Sequence, residues 1–199
     1  MSLGIEGGAK VANGWAREVI VMPYDSAWDR MAAAEAGMIR NALGEALLDV
    51  KHIGSTSVPG LSAKPILDFL GIVRDLSVLD ARAEALEMLG YMAMGENGLP
   101  GRRFFKKGES PRTHHLHFYQ RDNVREIERH LALPAYLRAY QAEAEAYGAL
   151  KTKLAAAFPQ DIEAYMAGKS AFVRELESRA LLWRKANGMD YRKIGRAHV

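Results

Sequence analysis

Cysteine is absent from the 199-residue chain. That excludes a disulfide framework, a zinc–thiolate site and a cysteine nucleophile together, and it fits a reducing, cytoplasmic setting. Long apolar runs are also missing: none approaches the ~18 residues of a membrane helix. Neither sign of charge is in excess. Lys and Arg number 27 against 24 Asp and Glu, a net +3, so the overall balance selects neither nucleic acid nor a membrane surface, and only the local placement of charge is informative. There is no internal repeat, and no low-complexity segment beyond a bias to alanine. The opening stretch through Gly14 is glycine-rich without the apolar core of a secretory signal, and residues 1–17 read as a disordered leader.

What remains is an ordinary globular composition, 49% apolar and 26% charged. A chain of this length buries roughly 70% of the surface its unfolded form exposes, so it folds without a staple. Asp25 and Ser26 are cap-type residues. Trp28, Met31, Ile39, Ala42, Leu43 and Leu47 then recur at helical spacing and predict a helix over 26–47. Residues 48–53 are short and β-rich. Residues 54–60 carry two glycines, a proline and three hydroxyls and form a structured loop. Residues 65–73 read as a strand apolar on both faces, broken only by Asp68, which places it centrally. A helix over 77–89, stopped by Gly90, and an antiparallel strand pair over 102–107 and 113–120 follow. From 122 to 186 only helical pattern appears, punctuated by Pro134 and Pro159.

The plan is α+β: a mixed sheet flanked by helices, then a C-terminal helical region. The expected divisions are a core over 18–121, a helical region packed on it over 122–187, and a tail over 188–199 that reads as frayed and basic from Arg192.

Three signals carry chemistry. Gly54-Ser55 follows a strand, where a glycine admits close backbone approach and a hydroxyl with its amides donates to phosphate oxygens. Asp68 sits on the next strand, and a lone carboxylate among apolar neighbours is costly unless paired or metal-bound. In Thr113-His114-His115-Leu116-His117-Phe118-Tyr119, strand alternation puts His115, His117 and Tyr119 on one face, with the two imidazoles about 7 Å apart. Such a pair binds metal, shuttles protons or contacts phosphate, or else is satisfied by backbone. Arg102, Arg103, Lys106, Lys107 and Arg112 face only Glu109 locally, which suggests either a polyanionic ligand or a charge-protected strand edge. Tyr147 with Lys151, and Tyr165 with Lys169, each share a helical face. They could reach a ligand across a cleft, or simply pack lysine stems over tyrosine rings.

Taken in order, the segments 52–61 (His-Ile-Gly-Ser-Thr-Ser-Val-Pro-Gly-Leu), 63–68 (Ala-Lys-Pro-Ile-Leu-Asp) and 112–117 (Arg-Thr-His-His-Leu-His) resemble the GrpB family of bacterial proteins. So do Tyr136-Leu137-Arg138-Ala139, Leu150-Lys151, and Tyr165 with Lys169. The resemblance runs from about Val19 to Trp183. It implies a nucleotidyltransferase-like fold of the polymerase-β palm type, in which a Gly-Ser pair anchors a triphosphate and paired acids hold two divalent ions.

Carried onto this chain, Gly54, Ser55 and Asp68 match. The second acid falls on Leu70, and the later strand offers His115 and His117 in place of a third carboxylate. One carboxylate and two imidazoles suit a single transition-metal or zinc-like ion better than paired magnesium, and also suit no metal.

The expected site therefore has Asp68, His115 and His117 as catalytic or metal-holding groups (Mg, Mn or Zn). Gly54, Ser55, Thr56, Lys64, Arg103, Lys106, Lys151 and Lys169 are the expected phosphate contacts. The ligand is a nucleotide or related phosphate ester, nucleic acid and membrane not being expected partners. The alternative is a non-catalytic binding or accessory module, for example one linked to coenzyme A biosynthesis.

Overall fold

The computed structural model describes residues 18–109 and 111–194, with side chains through 192. The expected leader, and the part of the expected tail beyond 194, lie outside the described residues.

Helix α1 (Ala27–Leu43) starts where the Asp25 carboxylate accepts the Ala27 amide at 2.8 Å. It stops before Gly44, whose φ of 52° leaves the helical region, four residues short of the predicted 47 because a 3-10 turn (Gly44–Ala46) intervenes. Strands β1 (Leu47–Ile53) and β2 (Leu67–Val73) follow. The predicted helix over 77–89 is two short helices, α2 (Leu76–Asp80) and α3 (Ala83–Glu87). A short strand with no strong pattern of its own, β3 (Tyr91–Ala93), precedes β4 (Arg102–Lys107) and β5 (His114–Gln120).

The sheet order is β1-β2-β5-β4-β3. β2 and β5 are parallel, and the other neighbours are antiparallel. β2 therefore has partners on both sides, as its two-faced apolar character demands.

One face of the sheet carries Phe69, Val73, Phe105, Leu116 and Phe118. It packs against Trp28, Ile39 and Leu43 of α1, Leu79 of α2 and Leu86 of α3. Gly71 is needed on this sheet for a steric reason: a Cβ there would lie 2.1 Å from ring atoms of Phe118 on the adjacent strand.

The other face carries Leu70, Ile72 and Tyr119, covered by Ile127. That residue belongs to α4 (Val124–Ala139), which is followed by α5 (Gln141–Ala157) and α6 (Ile162–Ala186). These helices form their own core through Val58, Leu61, Ala132, Leu137, Tyr147, Leu176 and Ala180. Asn123 and Asp161 cap α4 and α6 by accepting the amides of Glu126 and Ala164.

Pro159 falls between α5 and α6 as expected, but Pro134 lies inside α4. Packing of Ala132, Leu133 and Leu137 onto α6 holds the helix through the lost hydrogen bond. Residues 192–194, expected to belong to a frayed end, lie in a short helix. α7 (Tyr191–Ile194) is docked by Glu128, whose carboxylate accepts the Tyr191 amide at 2.7 Å and also pairs with Arg184.

Candidate functional site

The site begins at the end of β1. Gly54 has φ +69° and ψ −171°, a region essentially reserved for glycine. A Cβ at this position would lie 2.5 Å from Oδ2 of Asp68, so the glycine serves both the turn and the approach of the loop to the carboxylate. The next three residues form a 3-10 turn (Ser55–Ser57), braced where Ser57 Oγ donates to Gly54 O at 2.8 Å. From α4, the Arg138 guanidinium donates twice to Ser57 O, at 3.0 and 2.7 Å, tying the helical region to the loop.

Thr56 departs from its expected role. Its hydroxyl donates to Ile66 O at 3.1 Å and sits 3.0 Å from His52 Nε2. It is a buried brace between the two ends of the loop, and although it lines the cavity its hydrogen-bonding capacity is spent within the protein.

Register then assembles the centre. Asp68 pairs with His115 and Leu70 with His117 across β2 and β5. His115 Nδ1 lies 3.0 Å from Asp68 Oδ1, and His117 Nε2 lies 3.8 Å from the same oxygen. The imidazole centroids are 6.3 Å apart, close to the spacing strand geometry predicts. Asp68 is not in open solvent: its side chain is 28% exposed, on the wall of a cavity. Burial by itself would raise its pKa, but the hydrogen bonds and charge of His115 and His117 outweigh that and hold the carboxyl far below the usual range.

His117 is a half-buried imidazole whose pKa desolvation lowers, against the pull of Asp68. Its Nδ1 faces the Arg102 guanidinium at 3.5 Å, and its ring lies against Phe104 and His130 at 5.1 and 5.2 Å. His130 on α4 donates Nδ1–H to Glu126 O at 2.8 Å. Burial, then the neighbouring His117, push its pKa down to about 3.

The opposite wall comes from the helical region. Ser55, Thr56, Lys64, Ile66, Asp68 and His115 meet Tyr147 and Lys151 of α5 and Tyr165, Met166 and Lys169 of α6 around a cavity of about 200 Å³. Lys151 is 2% exposed. Its Nζ has no hydrogen-bond partner and lies 4.4 Å from the Tyr147 ring centroid. The ammonium groups of Lys64 and Lys169 each lie 5.6 Å from the Tyr165 ring centroid. Burial pushes the Tyr147 phenol up to about 12, with the Ser55 hydroxyl holding it back, and raises Tyr165 as well.

Four expected site residues are absent from the cavity lining. Gly54 and His117 stay against Asp68, whereas Arg103 and Lys106 are not brought to the cavity. Arg103 alternates onto the opposite face of the sheet, where its guanidinium forks onto Asp80 at 2.7 and 2.9 Å. Lys106 shares the face of His115 in register but lies outside the cavity lining. The basic hairpin is accordingly not an open cationic surface. Arg102 is buried and donates to Glu96 O and Asn97 O, and Lys107 pairs with Glu35 at 3.0 Å.

Sequence reasoning missed Arg102 and His130 as neighbours of His117. No local pattern connects them, because β4 pairing and the docking of α4 bring them in from a distance. The two tyrosines were visible only as helical pairs, with nothing to say that both pairs close the same cavity.

The donor set also tests the metal arrangement the resemblance implies. Paired divalent ions do not fit: Leu70, at the expected second acid, is fully buried among Ile53, Ile72, Tyr119 and Ile127. A single ion does fit the donors, since one ligand atom from each of Asp68, His115 and His117 lies within 4.8 Å of the others. In addition, His115 Nε2 is buried without a partner.

The GrpB protein family model matches residues 18–179. The UPF0157 protein YqkA of Bacillus subtilis is 39% identical over 176 residues, 86% of this chain and 51% of that protein, so the chain spans about half of its length. The crystal structure of conserved protein GrpB from Enterococcus faecalis superposes with a TM-score of 0.79 at 49% identity, over 81% of this chain and 97% of that one. A looser resemblance in shape, TM-score 0.47 at 13% identity over 66% of this chain and 42% of the other, is to Cid1 in complex with its short product ApU. No helix among the described residues is long and apolar enough to cross a membrane. With the Gly-Ser turn, the Asp68–His115 pair and the lysine-bearing helices all falling inside the matched span, the chain belongs to the GrpB protein family.

Proposed function

We propose that the cavity binds the phosphate portion of a nucleotide or related phosphate ester, and that the protein transfers a nucleotidyl or phosphoryl group with the help of one divalent ion. The observation that carries this reading is the division of the cavity walls. Ser55, Lys64, Asp68 and His115 stand on the side of the sheet and its loop, while Lys151 and Lys169 face them from α5 and α6, so that three lysine side chains share one space.

Ser55 and the loop amides behind Gly54 grip phosphate oxygens, and the lysines neutralise their charge. At about 200 Å³ the cavity is smaller than the ~300–1,000 Å³ of whole-ligand pockets. It suits a phosphate chain, with the rest of the ester lying outward past Met166. Asp68, His115 and His117 are the residues that would hold the ion. When bound, it supplies electrophilic polarisation of a phosphoryl oxygen. Asp68 stays ionised and ready for that role because the two imidazoles stabilise its charge.

Calorimetric titration with a panel of nucleotides and coenzyme A precursors, with Mg, Mn and Zn, tests the reading. Metal-dependent binding lost in Asp68→Ala is the expected result. Binding that ignores both metal and that substitution would refute the catalytic assignment. It would favour instead a non-catalytic binding module, to which Leu70 at the second acid position points.

A further inference from the structure

Lys151 is a buried amine without a polar partner. It is 2% exposed, its Nζ has no hydrogen-bond partner, and the contact it does make is with the Tyr147 ring. A buried ammonium without an acceptor carries a large desolvation cost. The groups around the cavity do little to relieve it. Its own helix offers Tyr147, α6 offers Tyr165 and a second cation, Lys169, and the loop offers Ser55 and a third, Lys64. The sheet offers the Asp68 carboxylate and His115. Three lysines thus face one carboxylate, and that carboxylate is already engaged by His115 at 3.0 Å.

We propose that the cavity is a proton-coupled receptor for phosphate-type oxyanions, in which Lys151 stands as a neutral amine when the cavity is empty and takes up one proton as the anion enters. The inference rests on the reading that this cavity takes phosphate. It adds a thermodynamic partner, the proton, to the binding reaction. The Lys151 amine plus one proton from solvent gives the ammonium, which then donates to the anion's oxygens, and nothing else is consumed or released.

The electrostatics agree in direction. Burial, then the charge of Lys169, bring Lys151 down to about 7 against the weaker pull of Asp68, and burial also lowers Lys169. Once an anion supplies the missing acceptor and opposite charge, the ammonium is favoured and the proton is retained.

The test is calorimetry with inorganic pyrophosphate in buffers of differing ionisation enthalpy, on the wild type and on Lys151→Arg. The arginine keeps a positive charge that does not titrate, so the anion's own protonation cancels in the comparison. The wild type is expected to take up more protons than the variant, by up to about one, with a larger excess at pH 8 than at pH 7. Lys151→Met is expected to weaken pyrophosphate binding at least tenfold at pH 6. Because arginine is bulkier than the lysine it replaces, ¹³Cε-lysine NMR of the wild type supplies an independent reading: one lysine titrating near neutrality when empty, and shifted upward by pyrophosphate. Binding with equal proton uptake in both proteins, or a Lys151 amine that titrates above about pH 9.5 when empty, overturns the inference and leaves phosphate binding standing. Failure of the wild type to bind pyrophosphate overturns both.

Discussion

Replacing Gly54 by alanine probes the geometry of the site most directly. Two costs add. The backbone at φ +69° and ψ −171° is strained for any residue with a Cβ, at roughly 1–3 kcal/mol. The new Cβ also meets Asp68, at 2.5 Å from Oδ2, 3.0 Å from Cβ and 3.1 Å from Cγ. Because all three atoms crowd it, rotation of the carboxylate alone does not clear the contact. Asp68 must move, and its charge-assisted bond with His115 is lost, a further ~1.5–3 kcal/mol. Together Gly54→Ala should cost about 4 kcal/mol in urea-unfolding free energy. The double-mutant cycle with Asp68→Ala separates the two parts. With the carboxylate gone the backbone strain remains but the clash shrinks to the Cβ at 3.0 Å, so the cost of Gly54→Ala should fall by about 2 kcal/mol. A single-variant cost below 1 kcal/mol, or strict additivity in the cycle, would refute the claim that this glycine is required by the carboxylate behind it.

Stability should fall on acidification from the histidine side. In the folded state burial holds His130 near 3 and lowers His117, while the unfolded chain protonates histidine near 6.5. The unfolded state therefore binds more protons between those values, and stability declines as pH drops through that window. His130 alone should account for a loss of about 2 kcal/mol between pH 8 and pH 5, read as unfolding free energy against pH and flattened in His130→Asn. Gly71→Ala should cost about 3 kcal/mol or more, because the Cβ would overlap Phe118, and Phe118→Leu in the same chain should restore part of it in the same unfolding assay. Glu35 is buried and accepts from the Tyr91 hydroxyl at 2.7 Å and from Lys107 at 3.0 Å. Glu35→Gln should lower the unfolding free energy by about 2 kcal/mol by stranding a part-exposed lysine, and combining it with Lys107→Met should recover much of the loss.

Local pattern carried much of this protein. Helical spacing of Trp28, Ile39 and Leu43 fixed the inward face of α1, because a 3.6-residue repeat has one apolar stripe to bury. Strand alternation put His115 and His117 together and away from Leu116 and Phe118, because successive side chains on a strand point oppositely. The conjunction of Gly54, Ser55 and Asp68 was legible because each residue type is needed for a physical reason within a short span of chain. Alternation also explains why Arg103 missed the cavity. Arg103 lies one residue from the site face and so was turned to Asp80 on the other side, a parity that depends on the register of β4 against β5 and is unreadable until the strands pair.

What tertiary structure alone decided is the closure of the site. Whether the Tyr147–Lys151 and Tyr165–Lys169 faces looked toward the sheet or toward solvent depends on how α5 and α6 pack through Leu61, Tyr147, Leu176 and Ala180. The approach of Arg102 and His130 to His117 depends on strand pairing and on the docking of α4. A sequence specifies which faces are apolar, but not which distant face each will bury against. The burial of Lys151, and with it the chemistry of the cavity, is a product of that second choice.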